Sequence, residues 1–191
     1  RPEPITPEYP FGLATVDAHI AVLIGGNRWA RDDSEENRLE ALRMLVPVGG
    51  DRVRDALIIA LVGRGGQTRD DSEEVRLEAT RALIAFGDEP AFNALVTAAT
   101  GSGAVAKDAN AQVRREASKG LDAIRSRQTR DRLIGKLVGT DDRARHADPK
   151  ARKEAAWDLV KFRGDKTARD ALFKAYTGRA KDPNSSVRIT V

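Results

Sequence analysis

The stretch RDDSEENRLEA, Arg31 to Ala41, returns as RDDSEEVRLEA, Arg69 to Ala79, with one difference, Asn37 against Val75. The two copies lie 38 residues apart. Recurrence at a fixed interval of about 20 to 50 residues marks a stacked repeat, in which each unit is a supersecondary element covering its neighbour's apolar face. The interval therefore constrains the fold before any local reading does.

Laid out by column, the recurrence continues. Arg38 is followed by Arg76, Arg114, Arg152 and Arg188, and Glu40 by Glu78, Glu116 and Glu154. Four residues before each Arg stand Ser34, Ser72, Asn110, Asp148 and Asn184. All five are helix N-cap types, whose side-chain oxygens accept from free amides of the first turn, and Pro149 suits the first helical position. A helix is predicted to begin at each of them. Gly25, Gly63, Gly101, Gly139 and Gly178 close apolar runs such as ALIIALVG, as left-handed C-cap glycines do. Val75, Ala79, Ala82, Leu83 and Phe86 form a buried helical stripe, matched by Val113, Ala117, Gly120, Leu121 and Ile124. Pro47 should end the first capped helix early. The triplet Arg163, Gly164 and Asp165 reads as a turn with an Asp cap.

The phrase D-x-x-x-x-V-R-x-E-A, with a Gly-Asp turn ahead of the next helix, resembles HEAT repeats, particularly the bacterial HEAT-like kind seen in phycobilisome lyases. The resemblance implies an all-α fold, a right-handed α-solenoid of about five helical hairpins with a ~38-residue repeat. A proline-rich extended linker is expected over 1–13. The HEAT-like domain is expected over 14–191, with hairpins 14–48, 51–86, 88–125 and 128–162 and a truncated 165–191. It also implies a ladder between neighbouring repeats, built from a turn Asp and an Arg six residues later: Asp32 with Arg38, Asp70 with Arg76, Asp108 with Arg114, and Asp182 with Arg188. His146 takes the Asp position before Arg152, where Asp142 or Asp148 would have to substitute. An array that stops without a polar capping repeat is expected to be a segment of something longer, and Arg1 predicts a native start outside this sequence.

Residues 1–100 carry 11 basic and 17 acidic residues, a balance of −6; residues 101–191 carry 22 and 12, a balance of +10. This bipolarity favours an oriented partner with an acidic surface, or self-association, and allows weak nucleic-acid binding by the basic half. There is no cysteine, which excludes disulfides, thiolate metal sites and a cysteine nucleophile. The cytoplasm and an exported compartment both stay open. No apolar run approaches the ~18 to 20 residues of a membrane span.

No catalytic, cofactor or metal site is predicted. His19 and His146 lie in different repeats without metal-ligand spacing, and His19 shares a column with Leu57 and Leu95. Gly25-Gly26 and Gly65-Gly66 follow helix ends, the wrong context for a phosphate loop. DDSEE lacks the glycine and terminal Glu of a calcium loop. The predicted function is a non-enzymatic scaffold for protein–protein interaction. Its expected partner-binding residues are Arg81, Arg115, Lys119, Lys150, Lys153, Trp157 and Lys161. Trp157 replaces the basic residue of its column, Arg43, Arg81 and Lys119, and an aromatic among cations is a typical interface anchor. The competing reading makes Trp157 a packing residue and the charged columns a solubilising face of i, i+3 pairs. A basic loop column, Arg31, Arg69, Lys107, Arg145 and Lys181, offers another edge, with Trp29 in the first loop as an end-closing or contact residue. The alternative function is nucleic-acid binding of the kind found in HEAT-like DNA glycosylases, through the basic half. Repeat similarity alone also suggests a lyase-like chromophore chaperone, with no residue to assign to it.

Overall fold

The computed structural model describes residues 13–26, 30–140, 144–177 and 182–190. The expected linker up to residue 12, Trp29, Asp142, Gly178 and Lys181 lie outside the described residues. Among the described residues all regular structure is helical: α1 (Leu13–Ile24), α2 (Glu35–Leu45), α3 (Asp51–Val62), α4 (Glu73–Phe86), α5 (Glu89–Thr100), α6 (Ala111–Val138), α7 (Pro149–Leu159), α8 (Lys166–Tyr176) and α9 (Ser185–Thr190). A 3₁₀ turn, Val160–Phe162, extends α7. Leu13, placed in the linker by sequence, is already helical.

The caps form as their residue types require. Ser34 and Ser72 accept from the amides of Asn37 and Val75, Asn110 from Gln112 and Val113, Asp148 from Lys150, and Asn184 from Ser186. Asp165 caps α8 by accepting from Ala168, as its turn reading required. The helix with Pro47 behind it stops at Leu45, after 11 residues, where its counterpart α4 runs for 14. Gly25, Gly63, Gly101 and Gly139 have the expected positive φ, but the conformation differs from the left-handed helical one at Gly63 (φ 73°, ψ 156°) and Gly101 (φ 84°, ψ 162°). That region is essentially closed to side chains other than hydrogen. It lets the chain leave the helix extended and fold back, so that the amides of Asp70 and Asp108 reach the carbonyls of Ala60 and Ala98 at 2.8 and 2.9 Å. By contrast, Gly87 adopts the helical left-handed cap, at φ 62°, ψ 11°.

One boundary is corrected. A turn was expected between hairpins 88–125 and 128–162, yet α6 runs without interruption for 28 residues. The other junctions carry Gly49-Gly50, Gly87 or Gly164, whereas RSRQTR, Arg125 to Arg130, contains only residues that a helix accepts and no glycine or proline to stop one.

The chain forms two compact units, residues 1–124 and 125–191. In the first, α1 packs on α2 and α3 on α4, with α2 against α4 and α3 against α5. Their apolar stripes make one core: Leu42, Leu57, Leu83 and Leu95 are fully buried in it beside Val75, Ala79, Val113 and Ile124. In the second, Leu137, Ala156, Leu159, Ala168 and Val187 form a separate core, with α7 and α8 both packed on α9. Small residues on these faces allow close backbone approach. A Cβ on Gly120 would fall 2.2 Å from Ile84 Cγ1.

Candidate partner-binding face

The Arg column is structural. Arg38 donates Nη1 to the carbonyls of Asp32 and Asp33 in its own turn, at 2.8 and 3.0 Å, and sends Nε and Nη2 to the carboxylate of Asp70, at 2.9 and 3.1 Å. Arg76 repeats this with the carbonyls of Asp70 and Asp71 and the carboxylate of Asp108, and Arg152 with those of His146 and Ala147 and the carboxylate of Asp182. These groups are buried. The expected pairings of each Arg with the Asp six residues before it are therefore corrected. That Asp supplies its carbonyl, while the carboxylates of Asp70, Asp108 and Asp182 receive the Arg of the preceding repeat. A side chain leaning back toward its helix N-terminus reaches the carbonyls of its own turn, leaving the rest of the guanidinium for the neighbour. The same carboxylates hold their own turns, since Asp32, Asp70, Asp108 and Asp182 accept from the amide two residues on.

At position 146 the imidazole does the second job. Its Nδ1 accepts from the amide of Asp148 at 3.2 Å, and Asp148 is occupied in capping Lys150. The basic loop column is also largely internal: Arg31 lies 3.5 Å from Asp70 and 3.1 Å from Asp71, and Arg69 lies 3.9 Å from Asp108. Arg145 adds charge beside Asp182. Burial by itself would raise the Asp182 carboxyl, but the Arg152 fork, the Asn184 amide and the charges of Arg152 and Arg145 hold it below the ordinary carboxylate range.

A second set of ion pairs escaped the sequence reading. Arg54 reaches Asp88 at 2.9 Å and Arg130 reaches Asp165 at 2.5 Å, each spanning to the turn 34 or 35 residues on. Arg54 and Arg130 stand two repeat lengths apart, a periodicity of 76 that a search for single-repeat columns passes over.

With the recurrent cations accounted for, the exposed ones divide by element. On α7, Ala155, Ala156 and Leu159 face the core and Arg152 its ion pair, so the opposite face carries Lys150, Lys153 and Trp157, continued by Lys161. Trp157 is 60% exposed. Lys161 is paired with Asp158 at 2.8 Å, whereas Lys150 and Lys153 have no ion pair among the described residues. An open groove of about 570 Å³ beside the start of this helix is lined by Arg145, His146, Pro149, Arg152, Pro183 and Asn184. In the first unit, Arg81 is exposed on α4 and paired with Glu78 at 3.1 Å, while Arg115 and Lys119 are exposed on α6. His19 is half-buried, its Nδ1 2.6 Å from the carbonyl oxygen of Thr15. Among the described residues no cluster of three metal-ligating side chains occurs, and no helix is long and apolar enough to cross a membrane.

Residues 75–100 match the model of the PBS lyase HEAT-like repeat. This stretch runs from the start of α4 to the end of α5, so the resemblance read from its motif is met by a HEAT-like repeat there. No curated protein matches the chain. Repeats of this kind generally mediate protein interactions and are typically non-catalytic.

Proposed function

We propose that this chain is a non-enzymatic interaction scaffold that holds a protein partner through the exposed face of α7, with Trp157 as its anchor and Lys150 and Lys153 selecting an acidic surface. Trp157 carries the reading. Phe173 and Tyr176 on α8 are exposed to a similar degree, 67% and 56% against 60% for Trp157, but Trp157 shares its helix face with Lys150 and Lys153, which have no ion pair among the described residues. Such a residue combines a large apolar area with an indole N–H donor, the combination enriched at interface hot spots. Arg81, Arg115 and Lys119 extend the proposal to the corresponding faces of α4 and α6.

The test compares the intact chain with Trp157→Ala in partner capture and in thermal melting. Loss of a buried anchor costs about 2 kcal/mol or more, so capture should weaken at least about tenfold while the melt stays within a degree or two. A variant that melts early would make Trp157 a packing residue and remove the face. Unchanged capture would place binding elsewhere.

The second reading, a nucleic-acid-binding protein resembling the HEAT-like glycosylases, is favoured by the +10 balance of residues 101–191. Exposed Lys and Arg without carboxylate partners are what phosphate binding uses.

A further inference from the structure

The occupied Arg–Asp contacts are clamps made by two cations. Asp70 is held by the fork of Arg38 and flanked by Arg31; Asp108 by Arg76 and Arg69; Asp182 by Arg152, with Arg145 adding its charge. In each pair the second cation stands seven residues before the first. Lys107 and Arg114 are the remaining pair of this kind in the first unit. Arg114 is oriented like the others, its Nη1 donating to the carbonyls of Asp108 and Ala109, both at 2.7 Å. Its Nε and Nη2, the atoms that grip a carboxylate in Arg38, Arg76 and Arg152, have no carboxylate among the described residues. In the sequence the Asp column reads Asp70, Asp108 and then His146.

This fork is also reachable. Among the described residues no buried side-chain nitrogen lacks a hydrogen-bond partner, so the unpaired edge of the half-buried Arg114 is in contact with solvent. Lys107 is exposed. A guanidinium fixed at one end by two carbonyls has already lost most of its rotamer freedom, and its other edge matches the two oxygens of a planar carboxylate.

We infer that Arg114 and Lys107 form a binding site for a carboxylate side chain of an acidic partner segment, which takes in trans the place that an Asp of the chain takes in the other clamps. A carboxylate is favoured over a phosphate because the same fork, with the same carbonyl anchors and a second cation at the same offset, holds an Asp carboxylate three times in this molecule. The inference uses neither Trp157 nor any residue of α7, so it stands or falls separately from the proposed function.

The experiment titrates the full chain, at about 150 mM salt where unspecific attraction is screened, with a terminally blocked hexaglutamate peptide, hexaglutamine serving as the neutral control. The readout is the arginine Nε–H resonances. The Arg114 signal should move most and saturate, those of Arg38, Arg76 and Arg152 should stay in place, and hexaglutamine should move none. Arg114→Lys keeps the charge and loses the fork, and should weaken binding about tenfold. Lys107→Gln, at an exposed position, should weaken it about threefold and keeps the test alive if Arg114→Lys fails to fold. Arg64→Gln, which removes one exposed charge elsewhere in the unit, should change it less than about twofold. A silent Arg114 signal, or equal losses in Lys107→Gln and Arg64→Gln, would reduce the effect to diffuse attraction and overturn the site. A phosphoserine peptide or a short DNA duplex that moves the Arg114 signal at about tenfold lower concentration would overturn the carboxylate assignment.

Discussion

Arg38 and Asp70 stand 32 residues apart and face each other through two hydrogen bonds, Nε to Oδ2 at 2.9 Å and Nη2 to Oδ1 at 3.1 Å. Both are nearly inaccessible, 2% exposed each. A buried ion pair gains little over an apolar pair of the same shape, but it is costly to break, because one partner is then left charged and dry. Its value lies in register, since a guanidinium that must meet two carbonyls and one carboxylate fixes how one repeat is set on the next.

The first prediction follows from that asymmetry. Arg76→Ala leaves the Asp108 carboxylate buried with the Asn110 amide and, as a cation, Arg69 at 3.9 Å, and frees the carbonyls of Asp70 and Asp71. Unfolding in urea should show a loss of about 3 to 5 kcal/mol. Arg114→Ala strands no carboxylate among the described residues and should cost about 1 kcal/mol. Equal losses in the two variants would show that the carboxylate contact contributes nothing beyond the carbonyl bonds.

A pH prediction rests on Asp182. Burial raises its folded pKa, but the Arg152 fork and the other favourable contacts outweigh that effect and leave it depressed. The folded state therefore binds fewer protons than the unfolded chain, whose Asp titrates near about 3.9. The stabilisation is complete above the unfolded value and is lost as pH falls through the folded one. Urea midpoints followed from about pH 6 to about pH 2.5 should fall more steeply below about pH 4 in the unsubstituted chain than in Asp182→Asn. Parallel curves would remove this linkage.

Most of what periodicity encodes was legible. Ser34, Ser72 and Asn110 cap because their oxygens sit beside unpaired amides, and that relationship is local in sequence. The direction of the Arg contacts was not legible, because an Asp six residues before an Arg and one 32 residues after it recur with the same period, so spacing alone cannot choose between them. The unbroken α6 was missed because the 38-residue register predicts a turn near Arg127 whether or not the residues there can make one. For the candidate face, spacing placed Trp157 in a column of charged residues, but a large aromatic in such a column can face outward or cover a neighbour. Its exposure required the packing of α7 against α9 and the core beneath it.

Backbone geometry gives the third prediction. At Gly63, φ is 73° and an added Cβ would lie 2.7 Å from the carbonyl oxygen of Gln67 and 3.0 Å from the Arg69 amide nitrogen. Neither backbone atom can withdraw without moving the turn that brings Asp70 to Ala60. Gly63→Ala should cost about 3 kcal/mol in a thermal or urea melt. Gly65 has φ 60° and open space for 4 Å around an added Cβ, so Gly65→Ala carries only the left-handed backbone cost. That cost is about 1 kcal/mol. Indistinguishable melts for the two variants would show that the close approach at Gly63 is not maintained in solution.

The last prediction separates the two functional readings by salt. Residues 101–191 carry the +10 balance and residues 1–100 the −6, so a polyanion meets attraction from one stretch of chain and repulsion from the other. Arg130 and Arg152 are already bound to Asp165 and Asp182 in the same stretch, which leaves the balance unchanged and rests it on the other cations. For every phosphate a protein neutralises, log K falls by about 0.9 per decade of salt, so retention of a short duplex should be visible at about 20 mM salt and gone near about 150 mM. Filter binding or anisotropy across that range measures it. Sub-micromolar affinity persisting at about 150 mM would require contacts organised for the duplex rather than a diffuse basic field, and would put nucleic-acid binding ahead of the scaffold.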